Sequence, residues 1–289
     1  MLSRIHRMEL PRVVVIGHDA IKALGKEVRA LGERRALVVS SETPLMVAGS
    51  DIKATLEGDG IEYEIMRIKK SSLQDDVDEI TSHLKSNGSQ LIIAIGGGRV
   101  IDAAKFAASR SPVKLFSVPT TASHDGICSP RVSLPSSERR YSFYAMTPSE
   151  ILADTRIIAG APYRLTASGC GDIIAKYTAV RDWTLSHLLK GEYYGEYAAS
   201  LAEAAVSRVM ENGDLIRTGT EAGVRVVVEA LIHCGTIISI AESSRPCSGS
   251  EHLFSHALDM IAERPALHGE QVGVGTILMA YLHGADWKS

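Results

Sequence analysis

Two histidines one helical turn apart are the residues best suited to metal chemistry in this sequence. His252 and His256 stand at positions i and i+4 of the segment SGSEHLFSHALD, so both project from one face of a predicted helix. His268 follows in the segment RPALHGEQ, which we predict to be a loop. An imidazole is a common zinc ligand, so these three histidines are the first candidates for a metal site.

Asp172 is a carboxylate for which the sequence allows two roles. It follows Gly-Cys-Gly in the segment ASGCGDIIAK, and we place it at the start of a mostly apolar helix. In one interpretation it caps that helix. In the other it joins two histidines as an oxygen ligand of zinc and leaves one coordination position open for a substrate oxygen.

Three glycines at 96–98 separate an apolar strand from a helix in the segment LIIAIGGGRVIDAAK. Because glycine lacks a Cβ atom, a diphosphate can approach the backbone N–H groups at a helix start of this kind. The segment matches neither GxGxxG nor GxxxxGK[ST], so a tight strand-to-helix turn also fits it. Further phosphate or ribose contacts are predicted after the next strand, at Thr120, Thr121, Ser123 and Ser129.

The elements that position these residues alternate in the first half of the chain. Strands are predicted over 12–17, 35–41, 61–68, 91–98 and 113–121, and helices over 19–31, 49–58, 74–87 and 99–109. This alternation predicts an α/β domain with a mostly parallel sheet, whose ligands lie at the carboxyl ends of the strands. A hairpin around a Ser-rich turn is predicted over 131–147, and strand signals end after residues 147–154.

The second half has helical patterns only. From residue 162 onward, segments of helical length and spacing are divided by glycine or proline. We therefore predict two domains, an α/β dinucleotide-binding domain over 1–154 and an all-helical metal and substrate domain over 155–289.

Composition excludes several other classes of protein. The 289 residues carry 31 Lys and Arg against 34 Asp and Glu, a net charge of −3, which argues against a general nucleic-acid binder. The four cysteines are far apart and form no CxxC pair, as expected in a reducing cytoplasm. The apolar stretches at 226–241 and 272–282 are too short to span a bilayer, so we predict a soluble protein without membrane insertion.

The order of the motifs resembles a known superfamily. GGGxxxD, PTTASHDG, GxGD, a helix with two histidines and HGEQVGxG are similar to the iron/zinc-containing alcohol dehydrogenases, a superfamily that includes glycerol dehydrogenases and dehydroquinate synthases. The segments VPTTASHDGICSP, SGCGDIIAKYTAVRDW and SRPCSGSEHLFSHALD most resemble its archaeal sn-glycerol-1-phosphate dehydrogenase subgroup. The resemblance covers nearly the whole chain and implies a dehydroquinate synthase-like fold. Relatives continue past the last predicted helix, so a helical domain shortened at its C-terminus is expected.

The resemblance also implies a set of site residues. The metal ligands would be Asp172, His252 and His268, with zinc as the ion. Asp125, Asp172 and His256 match positions that contact substrate. The positions around the cofactor, NAD(H) or NADP(H), would be Gly97, Gly98, Arg99, Val100, Ile101, Asp102, Thr120, Thr121, Ala122, Ser123 and Ser129. Arg99 departs from the serine that many members of the superfamily carry there.

The implied activity is the reduction of dihydroxyacetone phosphate to sn-glycerol 1-phosphate, which supplies the archaeal phospholipid backbone. The catalytic residues would be His256 and Asp125. His256 is expected either to donate a proton to the developing alkoxide or to orient the substrate. The alternatives are a glycerol (polyol) dehydrogenase, a dehydroquinate synthase-like lyase and an inactive truncated homologue.

Two aspects of ligand choice and assembly follow from the same interpretation. Arg131, Arg139 and Arg140 of the predicted hairpin are candidates to bind a substrate phosphate. The residues Ser40, Ser41 and Glu42 lie where the adenosine ribose is expected, and they are compatible with both NAD and NADP. The predicted partners are a small-molecule substrate and further copies of the chain in a homo-oligomer, with no nucleic acid.

Overall fold

A six-stranded parallel sheet forms the centre of the first half of the chain. The structure is a computed structural model that describes residues 6–69, 72–135 and 140–286. Its strands are β1 (Val13–Gly17), β2 (Arg35–Ser40), β3 (Glu62–Arg67), β4 (Leu91–Gly96), β5 (Lys114–Pro119) and β8 (Glu150–Asp154). The strand order in the sheet is β1-β8-β5-β4-β2-β3. The predicted parallel α/β architecture is thereby confirmed.

All five predicted strands are present, and a sixth lies in the segment where the strand signals end. Every residue of β4 is buried, as expected for a central parallel strand that has helices on both faces. Strand β8 pairs with β1 on one side and with β5 on the other. It connects β1 to the rest of the sheet and leads directly into the helical half.

The predicted hairpin is also present, as an antiparallel pair outside the main sheet. It consists of β6 (Arg131–Pro135) and β7 (Arg140–Tyr144), with Ser133 opposite Ser142. The Ser-rich turn at 136–139, which includes Arg139, lies outside the described residues, and only the backbone of Arg140 is described.

Four helices cover the sheet in the first half. They are α1 (Leu24–Ala30), α2 (Glu42–Gly58), α3 (Leu73–Asn87) and α4 (Gly98–Ser109), and a short 3-10 turn (Ala20–Ala23) precedes α1. Helix α2 begins seven residues before the predicted start at 49. Pro44 does not prevent this earlier start, because it lies in the first turn, where the N–H that proline lacks would have no intrahelical partner. Helix α3 begins with a capping box between Ser72 and Asp75.

The second half is helical throughout its described residues, as predicted. Its helices are α5 (Thr155–Ala159), α6 (Tyr163–Ile174), α7 (Lys176–Lys190), α8 (Glu196–Glu211), α9 (Gly213–Arg217), α10 (Glu221–Ala241), α11 (Ser250–Ile261) and α12 (His268–Leu282). Helices α6 and α7 follow one another directly and are divided only at Ala175. The proposed domain boundary at 154 coincides with the end of β8 and stays a prediction.

Helix α10 is the apolar centre of the helical half. It packs against α5, α6, α8 and α9, and its buried side chains belong to one hydrophobic cluster with residues of the sheet. By length and composition it is apolar enough to cross a membrane. The prediction that this segment is too short to span a bilayer is therefore wrong, because the helix has 21 residues and not only the 16 at 226–241. However, 72% of its most apolar window is buried inside the protein, as in the core helix of a globular fold.

Candidate functional site

The site forms where the carboxyl edge of the sheet meets three helices of the second half. Helix α4 begins directly after β4, and β5 leads into a short 3-10 turn at Asp125–Ile127. Helices α6 and α11 both pack against α12, and α6 also contacts this turn. The three helices carry Asp172, His252 and His268 respectively.

Two glycines beside the candidate ligands allow α6 and α12 to approach closely. A Cβ atom on Gly171 would lie 2.2 Å from the carbonyl oxygen of Gly269, and one on Gly269 would lie 1.7 Å from that of Ser168. Contacts this short are impossible, so both positions require glycine. The glycines next to Asp172 and His268 in the motifs GCGD and HGEQ thus bring the two functional side chains together.

The structure brings Asp172, His252 and His268 into one cluster. Asp172 Oδ1 lies 3.5 Å from His252 Nε2 and 4.0 Å from His268 Nε2. One donor atom from each residue falls within 4.8 Å of the others, and only His268 is more than slightly exposed. Two imidazoles and one carboxylate around a single point match the three-ligand sets of catalytic zinc sites. The donor set therefore fits a divalent metal ion.

Two local expectations about these residues are wrong. Asp172 lies near the end of α6 and does not cap its start, because α6 begins at Tyr163. Its Oδ2 atom instead accepts a hydrogen bond of 2.8 Å from the backbone N–H of Asp125. Asp125 is the first residue of the 3-10 turn at Asp125–Ile127. His268 is the first residue of α12 and does not lie in a loop.

Glu251 orients His252 from behind. His252 Nδ1 lies 2.7 Å from Glu251 Oε1, which also accepts a hydrogen bond from the N–H of Gly249. Thr178 donates to the other oxygen of Glu251 at 2.8 Å. Burial lowers the pKa of His252, but its hydrogen bonds to Asp172 and Glu251 outweigh burial and raise it to about 9. The fixed Nδ1 atom leaves Nε2 facing Asp172.

Lys176 is the cation that pairs with the carboxylates of Asp125 and Asp172. This fully buried side chain donates to Asp172 Oδ1 at 2.9 Å, and its Nζ lies 3.1 Å from Asp125 Oδ2. Burial lowers the pKa of Lys176, but the negative charges of Asp125 and Asp172 raise it by more. The pKa of Lys176 therefore lies well above its ordinary value. Conversely, burial raises the pKa of Asp172, and Lys176 with the two histidines holds it well below its ordinary value.

A cavity of about 200 Å³ opens beside the cluster. His252 and His268 line it, and so do Asp125 and His256, the two residues expected to act on substrate. His256 follows His252 by one turn of α11, so it faces the cavity without joining the cluster of three. These placements are consistent with the substrate contacts that the motif resemblance implies.

The predicted cofactor residues cluster at the start of α4 and after β5. A Cβ atom on Gly97 would lie 3.2 Å from Thr121 Oγ1, so the loops after β4 and β5 are in contact. A Cβ atom on Gly98 would lie 1.7 Å from His124 Nε2. The first N–H groups of α4 have no intrahelical acceptor and face the same edge, as an anion site requires.

Several of the expected cofactor residues do not present their side chains at this edge. Val100, Ile101 and Ala122 are buried in the core, so only their backbone is available to a ligand. Arg99 donates to Asp76 of α3 at 2.7 Å. The remaining expected residues surround the edge in varied environments: Thr120 and Ser129 are buried, Ser123 is half-buried, and Asp102 and Ser129 also line the cavity.

Four residues of the site were not identified from the sequence. Lys176 has a readable signal, because it stands four residues after Asp172 at helical spacing. Glu251 immediately precedes His252, and His124 lies inside the motif SHDG. Lys105 is fully buried and donates to Asp102 Oδ1 at 3.2 Å. Asp102 stands three residues before Lys105 on the same helix, but the carbonyl oxygens of Gly126 and Arg131 that also bind it come from other segments. Local sequence therefore does not show that this lysine is buried.

The fold and this site together define the class of protein. A family model described as iron-containing alcohol dehydrogenase matches residues 15–162, about half of the chain. The chain belongs to the iron-containing alcohol dehydrogenase family.

Curated relatives place it more narrowly. A glycerol-1-phosphate dehydrogenase (NAD(P)+) of Thermococcus kodakarensis is 45% identical over 291 residues, which cover 100% of this chain and 82% of that protein. A protein of the same name from Methanosarcina acetivorans is 47% identical over 97% of this chain and 79% of its own length. The resemblance to archaeal glycerol-1-phosphate dehydrogenases is thereby confirmed.

Solved structures share the fold at much lower identity. A glycerol dehydrogenase from Schizosaccharomyces pombe aligns with a TM-score of 0.83 at 22% identity, covering 97% of this chain and 73% of that one. A probable glycerol dehydrogenase from Sinorhizobium meliloti 1021 aligns with a TM-score of 0.82 at 19% identity, covering 97% and 79%. These matches confirm the architecture of the fold.

Proposed function

We propose that this enzyme reduces dihydroxyacetone phosphate to sn-glycerol 1-phosphate with NADH or NADPH. The observation that carries the proposal is the buried cluster of Asp172, His252 and His268, which opens into a cavity beside the glycine-rich start of α4. The names of relatives at 44–47% identity supply the reaction. The product would serve as a phospholipid backbone, and we propose a cytoplasmic homo-oligomer as the working form.

Zinc is the metal that we propose for the cluster. Asp172, His252 and His268 would hold it, with Glu251 fixing the orientation of His252. When bound, zinc supplies Lewis acidity toward a carbonyl oxygen and a reduced nicotinamide supplies hydride. Every other requirement of the reaction falls to side chains of this chain.

His256 is the residue proposed to manage the proton. It lines the cavity one turn from His252, so an imidazole N–H can reach an oxygen of a substrate that occupies the cavity. Asp125 lies across the same cavity, and its Oδ2 atom is 3.1 Å from Lys176 Nζ, which holds the carboxylate in place. Asp125 is therefore proposed to hydrogen-bond a substrate hydroxyl.

The cofactor is proposed to bind at the start of α4. Gly97 and Gly98 leave the approach to the first N–H groups of the helix free of Cβ atoms, and Thr121 adds a hydroxyl beside Gly97. This placement would put the reactive end of the cofactor toward the cavity that contains the histidines. The cavity also touches Asp102 of α4, so the two regions are continuous.

Steady-state kinetics on the zinc-loaded enzyme tests this proposal. Oxidation of NADH and of NADPH should be rapid with dihydroxyacetone phosphate and much slower with dihydroxyacetone. Comparable efficiency on the unphosphorylated ketone would favour a polyol dehydrogenase. A metal-loaded protein that oxidises neither cofactor with either ketone would favour a lyase or an inactive homologue.

A further inference from the structure

Arg131 is a cation of the cavity that has no acidic partner among the described residues. Its Nε donates to Ser142 Oγ and its Nη2 to the carbonyl oxygen of Ser142, each at 2.7 Å. Burial lowers the pKa of Arg131, as expected where a charge is removed from water without a counter-charge. By contrast, Lys105 and Lys176 are both paired with carboxylates.

The position of Arg131 is fixed by its surroundings. Its backbone N–H donates to Ser129 Oγ at 3.2 Å, and its carbonyl oxygen accepts from the buried Lys105 Nζ at 3.0 Å. Lys105 donates in addition to the carbonyl oxygen of Gly126 at 2.8 Å. Lys105 and Ser129 thus fix the backbone of Arg131, and Ser142 on the neighbouring strand of the hairpin fixes its guanidinium.

Two serine hydroxyls line the same cavity. Ser244 and Ser248 lie in the loop before α11, where the N–H groups of Cys247 and Ser248 both bond to the carbonyl oxygen of Ser244. Both serines are half-buried, and neither hydroxyl has a hydrogen-bond partner in the described part of the chain. The cavity therefore offers one unbalanced guanidinium and two uncommitted hydroxyl donors.

We propose that Arg131, together with Ser244 and Ser248, binds the phosphate group of the substrate. This assignment rests on the proposed function and makes Arg131 its specificity-determining residue. A guanidinium provides planar N–H donors that match phosphate oxygens, and hydroxyls complete such a site. The same cavity holds His252, His256 and His268, so a three-carbon substrate can reach from the phosphate site to the candidate metal site. The cofactor diphosphate is served separately, by the start of α4.

Substrate discrimination tests this assignment. Arg131→Ala should lower kcat/KM for dihydroxyacetone phosphate by about 100-fold, as expected for losing hydrogen bonds to a charged group. It should leave kcat/KM for dihydroxyacetone and the KM for NADH unchanged. Ser248→Ala should cause a smaller loss in the same direction. The matched control is Arg217→Ala, which removes an 81% exposed arginine and should change neither substrate's kinetics.

Arg131→Gln, which keeps a donor for Ser142, repeats the test if the alanine variant unfolds. The assignment is overturned if folded Arg131 variants keep the wild-type preference for the phosphorylated ketone. It is also overturned if both ketones lose efficiency equally, which indicates a structural role, or if only the KM for NADH rises, which indicates a cofactor phosphate. A wild-type enzyme without any preference for the phosphorylated ketone would instead refute the proposed function, and the phosphate site with it.

Discussion

Lys176 Nζ lies 2.9 Å from Asp172 Oδ1, and both side chains are buried where α6 meets α7. The same ammonium lies 3.1 Å from Asp125 Oδ2, so one cation serves a candidate metal ligand and a candidate substrate contact. Because the two carboxylates share this lysine, one ammonium group connects the metal side of the site to its substrate side.

Replacing Lys176 should destabilise the fold. Lys176→Met removes the buried ammonium that both carboxylates contact, and breaking a buried pair in this way costs about 3 to 5 kcal/mol. Urea unfolding of the chelator-treated protein measures the loss. Lys53→Met, at a 66% exposed side chain, is the control and should be nearly neutral. A similar small change in both variants would show that Lys176 has no such function.

Each of the three proposed ligands should be needed for metal binding. Alanine at Asp172, His252 or His268 removes one of three donor groups, so zinc content and turnover should be lost together. Elemental analysis and NADH oxidation on the same preparations measure both. His83→Ala removes an imidazole that lies on α3 and contacts Glu64 instead, so it should retain zinc. Stoichiometric zinc in a folded His252→Ala protein would contradict the ligand assignment.

Glu251 should act through His252. Glu251→Gln removes the charge that orients Nδ1 while keeping the side-chain size. Loss of a group that hydrogen-bonds to a metal ligand lowers metal affinity by about 10- to 100-fold. Zinc titration against a competing chelator measures the change. Activity should return at high zinc, which a purely structural defect would not allow. Glu203→Gln, at an exposed position of α8, serves as the control.

A side chain at Gly98 should interfere with cofactor binding. Gly98→Val places atoms where the N–H groups of α4 would meet a diphosphate, and it also forces His124 to move. The Kd for NADH, measured by fluorescence titration, should rise much more than the KM for the ketone. Gly49→Val makes the same change in α2, where an added Cβ meets nothing within 4 Å. An unchanged Kd in Gly98→Val would refute the placement of the cofactor.

His256 should affect turnover without affecting metal. His256→Ala should keep full zinc and cofactor binding while lowering kcat by about 100-fold or more, the usual size of a general-acid contribution. Zinc content and kcat from one preparation distinguish the outcomes. Loss of zinc would make His256 a ligand, and wild-type turnover would assign it to packing alone.

Most strands of the α/β half could be predicted because they are apolar runs bounded by polar or glycine residues. The exception is β3 (Glu62–Arg67), in which charged and apolar residues are mixed. The sequence also indicates Asp172, His252 and His268, but only through motifs, since α6, α11 and α12 meet in three dimensions. Local patterns misplaced Asp172 at a helix start, because the preceding glycines resemble a break. The structure shows that Gly171 is needed for contact with Gly269. Lys105 and Lys176 each stand one helical turn after an aspartate, but their burial could not be predicted, because their other partners come from distant segments.

The identity and configuration of the product give the sharpest test of the proposed reaction. Zinc-loaded enzyme is incubated with dihydroxyacetone phosphate and NADH or NADPH, and the product is resolved by chiral analysis. The expected product is sn-glycerol 1-phosphate, formed in a one-to-one ratio with the oxidised cofactor. Formation of sn-glycerol 3-phosphate, or no turnover of the phosphorylated ketone by zinc-replete protein, would contradict it.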